Sequence, residues 1–444
     1  MKIDINEIYG YNDKKEGEKK MLTPNGYRER LIDKKIDEYM KGFGAVCIEG
    51  PKWCGKTWTS LNHANSVCYI GSPENNFQNR TMAQMSPDLV LKGESPRLID
   101  EWQEVPSIWD AVRYEADKDN KKGKFVLTGS STPKRKGILH SGAGRIGRIR
   151  MNTMSLFETG DSSGQISFKE IFEHPVSPAI TGDVKLEQLI YYVVRGGWPG
   201  NMGVDIQMAK NLPFEYLKAV IEDDMYNTDG VKRDSRKVKS LLHSLGRNES
   251  TVVSNNTLRR DMMSYDEVGI DSNTISDYLD VFERLFLIDD QPAYAANLRS
   301  SRRVLKSPKH HFCDVSLAVA ALGATPELLL NDLYTFGFLF EALCEHDLKI
   351  YAESNGGQLF HYRDEKDNEI DAVVEMPDGR WAAFEIKLGA NQIDGAAAEL
   401  LKMKDIMTRE GTAPAVLCVI CGMTNMAYTR SDGVIVVPIT ALKA

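Results

Sequence analysis

The stretch Gly50-Pro-Lys-Trp-Cys-Gly-Lys-Thr57 decides the fold. It fits G-x4-G-K-[ST], the pattern of a loop that wraps a phosphate. The apolar run Gly44-Ala-Val-Cys-Ile-Glu49 stands before it and reads as a short buried strand. A helix can begin at Lys56. Glycines let the backbone curl around an anion, and successive N–H groups at the helix start point toward it. The expected contact set is Gly50, Pro51, Lys52, Trp53, Cys54, Gly55, Lys56, Thr57 and Trp58. Lys56 is expected to reach the β- and γ-phosphates and the Thr57 hydroxyl to ligate Mg²⁺.

Working outward, Arg97-Leu-Ile-Asp-Glu101 is a short apolar strand ending in two acids. Asp100 is expected to hold Mg²⁺ and Glu101 to polarise the attacking water. Lys124-Phe-Val-Leu-Thr-Gly-Ser-Ser131 is a third strand, and it ends in hydroxyls. Thr128 or Ser130 is its candidate for sensing the γ-phosphate or orienting water. The loop Ser141-Gly-Ala-Gly-Arg145, with Arg148 and Arg150 nearby, could carry an arginine finger at Arg145, in cis or from a neighbouring copy. A solvated basic loop is its plainer reading. Strands alternating with helical segments predict a parallel sheet with crossover helices.

The chain has 444 residues, enough for about three domains. Its 42% hydrophobic and 27% charged residues suit a globular protein with full cores. Net charge is −8, so any nucleic-acid contact must come from a local patch. The first residues are polar and charged, without the apolar core of a secretory signal. The longest apolar run, Ala413 to Met423, is about half the ~20 residues a membrane span needs. The seven cysteines are scattered. These features predict a reduced, cytoplasmic protein without a membrane anchor.

These motifs resemble those of the prokaryotic AAA-type ATPases that carry a DUF4143 C-terminal region. The resemblance includes the phosphate loop, Ile99-Asp-Glu-x-Gln103, Leu127-Thr-Gly-Ser-Ser131, and Gly144-Arg145 followed by Ser155-Leu-Phe-Glu158. Gly196-Gly-Trp-Pro199 and Lys309-x-x-Phe312-x-Asp314 extend it. It implies a P-loop NTPase parallel sheet with flanking helices, then a helical winged-helix-like segment and a C-terminal nuclease-like α/β domain. It also implies ATP and Mg²⁺ as ligands and hydrolysis as the reaction. The expected division is an arm at 1–22, the ATPase domain at 23–185, the helical region at 186–332 and the C-terminal domain at 333–444.

Within the helical region, Ser272 to Leu287 places Ile275, Tyr278, Leu279, Phe282 and Leu285 on one helix face. The opposite face carries Asn273, Ser276, Asp277, Asp280 and Glu283, too acidic to suit a DNA groove. Arg299, Arg302, Arg303, Lys306 and Lys309 follow with no acid among them, a candidate basic wing on DNA. In the C-terminal part, Glu341 lies in a helical pattern, Asp371 on one strand and Glu385-Ile-Lys387 on another. Their convergence would be similar to the PD-(D/E)xK nuclease core. Asp371 and Glu385, with Glu341 and Lys387, would then hold a metal for phosphodiester cleavage. The competing reading keeps the nuclease-like fold as an inactive dock for a protein partner, gated by nucleotide. Cys418-Val-Ile-Cys421 lies in an apolar strand and reads as core, as do Met403 and Met407 on a helix face.

Overall fold

The structure is a computed structural model. It describes residues 22–132, 138–265, 271–295, 307–409 and 411–444. The chain divides into two compact units. One runs to Asn152 and adds Asn227–Gly230 and Arg284–Phe286; the other holds Thr153–Tyr226, Val231–Glu283 and Leu287–Ala444.

The first unit is built on five parallel strands: β1 (Ala45–Glu49), β2 (Ser66–Tyr69), β3 (Arg97–Asp100), β4 (Phe125–Gly129) and β5 (Ile146–Arg150). Their order is β2-β3-β4-β1-β5. Side chains of a strand alternate between faces, and here both faces are covered. Ala45 and Cys47 enter one core with Ile99, Leu127 and Trp109. Val46 and Ile48 enter the other with Leu98, Val126 and Ile36. Helix α1 (Asp33–Gly42) precedes β1, and α2 (Lys56–Asn62) follows the phosphate loop. The helix expected from Tyr27 begins only at Asp33.

All five strands run one way, so their C-terminal ends share one edge of the sheet. That edge collects Gly50, Asp100, Gly129 and Met151 from four different strand ends. β4 lies between β1 and β3, which sets Thr128 and Ser130 between the phosphate loop and Asp100-Glu101.

The second unit opens with helices. Among them, α3 (Leu186–Arg195) ends at Gly196, whose φ of +68° suits glycine. The Gly197 N–H donates to Asp314 Oδ2 at 2.8 Å, and Trp198 Nε1 donates to Ser316 Oγ at 2.9 Å. The Gly-Gly-Trp-Pro turn and Asp314 are therefore partners in packing. Three helices, α4 (Ser235–Arg247), α5 (Asn255–Tyr265) and α6 (Ser272–Arg284), precede an antiparallel pair, β6 (Ile288–Gln291) and β7 (Lys309–Phe312). On α6, Ile275, Tyr278, Leu279 and Phe282 are buried, while Asn273, Ser276, Asp277, Asp280 and Glu283 are exposed.

The long helix α7 (Leu333–Ser354) then leads into β8 (Gln358–Arg363), β9 (Glu369–Glu375) and β10 (Trp381–Gly389). Helix α8 (Ile393–Arg409) and strands β11 (Val416–Met423), β12 (Met426–Thr429) and β13 (Ile435–Pro438) complete this part. The sheet order is β8-β9-β10-β11-β13-β12, with Ala179–Ile180 added at the β12 edge. Cys418, Cys421, Met403 and Met407 are buried. Among the described residues, no helix is long and apolar enough to cross a membrane.

Candidate functional site

The phosphate loop is shaped by its glycines. A Cβ on Gly50 would stand 2.2 Å from the Met151 carbonyl oxygen, a clash no side chain survives. Gly55 has φ +102°, open to glycine and strained for other residues. Trp53 also adopts a left-handed φ, +64°, and its ring is exposed, as is that of Trp58. Cys54 is buried, and Pro51 is buried beside it. Lys52 is half-buried.

Lys56 is buried, and its ammonium donates to the loop's own carbonyls, Gly50 at 3.0 Å and Pro51 at 2.7 Å. The Thr57 hydroxyl donates to Asp100 Oδ1 at 2.9 Å, and the Thr128 hydroxyl donates to the same oxygen at 2.7 Å. Burial pushes the Asp100 carboxyl up to about 6, against the opposing pull of its bond from Thr128. Glu101 follows in a left-handed conformation, φ +57°. Its N–H donates to Thr128 Oγ1 at 2.9 Å. Its Oε2 accepts from Ser130 Oγ at 2.8 Å and from the Gln103 amide.

Thr128 and Ser130 thus both belong to this cluster, one on each carboxylate. Gln103 joins them, a partner that sequence reading quoted without a role. A hydroxyl and a carboxylate 2.9 Å apart form a hard-oxygen pair of the kind Mg²⁺ prefers. A buried ammonium resting on a glycine-shaped loop suits a polyphosphate. The residues present therefore fit a Mg²⁺-nucleotide.

Arg145 is a correction. It precedes β5, and the Ala45 N–H donates to its carbonyl oxygen at 3.1 Å, which sets it at the N-terminal edge of the sheet. The phosphate loop is at the other edge, roughly 15 Å away along a five-residue strand. The Arg145 side chain is exposed and paired with Asp117 at 2.7 Å. An arginine finger in cis is excluded by this register. Arg148 instead pairs with the buried Glu49 at 3.4 Å and stacks over Trp109.

In the second unit, the C-terminal acids converge as expected, with partners that were not expected. Glu341 and Glu345 lie one turn apart on α7 and face one way. Lys309, at the start of β7, is wholly buried against them. Its ammonium donates to Glu341 Oε1 at 3.0 Å, Glu345 Oε1 at 3.2 Å and the Asp371 carbonyl oxygen at 3.2 Å. Lys387 pairs with Glu385 at 2.8 Å and with Asp371 at 3.4 Å. Asp371 Oδ2 also accepts the Ile386 N–H at 2.8 Å. His311, on the same face of β7 as Lys309, meets Glu249 at 2.8 Å and Glu345 at 3.4 Å.

Lys309 is therefore corrected from a DNA contact to an interior counter-ion. Burial alone lowers its pKa, but Glu345, Glu341 and Asp371 outweigh that and hold it above the ordinary lysine value. Burial, with Asp371 adding to it, pushes both Glu341 and Glu385 up. The cations held by these carboxylates are lysine side chains. Among the described residues, no three His, Cys, Asp or Glu side chains are disposed to hold a metal ion. Arg299, Arg302, Arg303 and Lys306 lie outside the described residues.

Comparison with known proteins agrees with this anatomy. A family described as "AAA domain" matches residues 43–160. Two domains of unknown function match beyond it, DUF8612 over 186–328 and DUF4143 over 336–442. Uncharacterized proteins of Mycobacterium bovis and Mycobacterium tuberculosis are each 23% identical over 346 residues, 77% of this chain and 70% of theirs. A Walker-type ATPase of Pyrococcus abyssi is 14% identical, with TM-score 0.39, covering 65% of this chain and 94% of its own. Cdc6p of Pyrobaculum aerophilum is 11% identical, with TM-score 0.22, covering 72% and 98% respectively. Joined to the phosphate loop and the acidic strand end, the matched families place the chain among the AAA-type P-loop ATPases with a DUF4143 C-terminal region.

Proposed function

We propose that the chain binds ATP with Mg²⁺ at the phosphate loop and hydrolyses it. The observation that carries this reading is one sheet edge holding Lys56, the Thr57–Asp100 pair and Glu101 together. Lys56 supplies charge to the β- and γ-phosphates. Thr57 and Asp100 would hold Mg²⁺, which when bound neutralises phosphate charge. Glu101 orients and polarises the attacking water, and Ser130 and Gln103 fix its carboxylate for that task. Thr128 aligns Asp100. The functional division follows the expected one: arm 1–22, ATPase part 23–185, helical region 186–332 and C-terminal part 333–444.

The test is Glu101→Gln. This variant should bind Mg²⁺-ATP as the native chain does and lose turnover by about 10²-fold or more. Undiminished turnover would remove Glu101 from the reaction.

We further propose that nucleotide state governs a binding event of the C-terminal half. The buried lysines on Glu341, Asp371 and Glu385 favour a dock over a nuclease, because the acids are already neutralised from within. DNA is the first partner to test, through Arg299, Arg302, Arg303 and Lys306, with the helical region as a winged-helix-like scaffold. Filter binding of duplex, branched and single-stranded DNA at two salt concentrations should show salt-dependent retention. No retention of any of them would turn the reading to a protein partner.

A further inference from the structure

A side chain ahead of the AAA-domain match grips the phosphate loop. Arg30 is buried, and the match begins only at residue 43. Its Nη1 donates to the Cys54 carbonyl oxygen at 2.9 Å. Its Nη2 donates to the Asn152 carbonyl oxygen at 2.9 Å. Cys54 lies within the phosphate loop, and Asn152 is the residue at which the chain leaves the first unit. A planar guanidinium holds two acceptors in a fixed relation, which an ammonium cannot do.

Other contacts tie the same pieces. Cys54 Sγ lies 3.7 Å from the Met151 carbonyl oxygen, the atom that a Cβ on Gly50 would strike. Arg30 is itself held, because its N–H donates to Asp33 Oδ2 at 2.8 Å. Asp33 accepts the Tyr27 hydroxyl at 2.8 Å and meets His63 Nε2 at 2.9 Å. The Tyr27 hydroxyl also reaches Thr59 on α2 at 3.3 Å. The segment from Tyr27 to Asp33 therefore fastens to both the loop and the helix that follows it.

The carbonyl of Cys54 and the N–H of Gly55 belong to one rigid peptide plane. Fixing that carbonyl fixes the direction of an N–H in the phosphate loop. The second bond couples the same plane to Asn152. We propose that Arg30 is a positioning residue for the phosphate loop and relays the loop's conformation to the strand end at 151–152. The proposal rests on the ATP reading above.

Hydrogen exchange read by mass spectrometry tests it, on the full chain with and without Mg²⁺ and a non-hydrolysable ATP analogue. In the native chain the analogue should slow exchange in peptides covering both 50–60 and 148–156. In Arg30→Ala, saturating analogue should still protect 50–60, while protection of 148–156 drops about fivefold or more. The analogue's Kd should rise about tenfold, with Arg30→Lys between the two. If Arg30→Ala does not fold, Arg30→Lys decides by the same comparison. Native-like protection of 148–156 in a variant whose loop is protected overturns the relay. An absence of protection at 50–60 in the native chain overturns the ATP reading first, and the relay with it.

Discussion

Replacing Lys309 by Met removes an interior cation while nearly keeping its volume. Lys309 Nζ stands 3.0 Å from Glu341 and 3.2 Å from Glu345. At an effective dielectric near 20, each contact carries a gross attraction of about 5 kcal/mol. Most of that is offset by the cost of taking the charges out of water. Removing one partner leaves the others buried without a counter-ion, at a net cost of about 3–5 kcal/mol. For a unit of this size, that lowers Tm by roughly 10 °C. Differential scanning calorimetry of the full chain would show the transition of the second unit moving down. ATP turnover should stay native-like at temperatures below that transition, because the phosphate loop belongs to the other unit. A Lys309→Met chain as stable as the native one would refute the reasoning. So would a loss of DNA affinity without a loss of stability, which would return Lys309 to a surface.

Three further outcomes follow from the same geometry. Asp100 must be ionised to ligate Mg²⁺, and its pKa lies near 6, so Mg²⁺-ATP affinity should fall about tenfold per pH unit below that point. Titration calorimetry across pH 5–8 reads this effect, and Asp100→Asn should be weak at every pH. Glu385 is raised from 4.5 to about 8, so its stabilising contribution is full below 4.5 and is lost as pH rises toward 8. Urea unfolding should show stability falling across that window by at most about 1.4 kcal/mol per pH unit from this group, with Glu385→Gln flattening the slope. Arg145→Ala should leave turnover within about twofold when assayed at dilution, since only an exposed ion pair with Asp117 is lost.

How much of this was legible depended on which residues backbone geometry constrains. Gly50 and Gly55 announce the phosphate loop because close approach to Met151 and a left-handed φ exclude other residues. Asp100, Thr128 and Ser130 were readable as polar groups ending apolar strands. Glu341, Asp371, Glu385 and Lys387 were recognisable as a converging set because strand alternation places Glu385 with Lys387.

Arg145 was misplaced because proximity in sequence does not say which sheet edge a loop joins. The usable signal was that Arg145 precedes the apolar run starting at Ile146, and parallel sheets gather ligands at C-terminal strand ends. Lys309 was counted into a basic run, although alternation with His311 already put both on one strand face. Burial of that face is a tertiary fact. Arg30 left no pattern to find, since its partners are the backbone carbonyls of Cys54 and Asn152, remote in sequence.

The central claim is met most directly by titrating Mg²⁺-ATP into the native chain and into Lys56→Ala, following heat and released phosphate together. The account predicts saturable binding and turnover in the native chain, both lost in the variant with its fold intact. Equal binding by the two chains, or no heat from either, would contradict it.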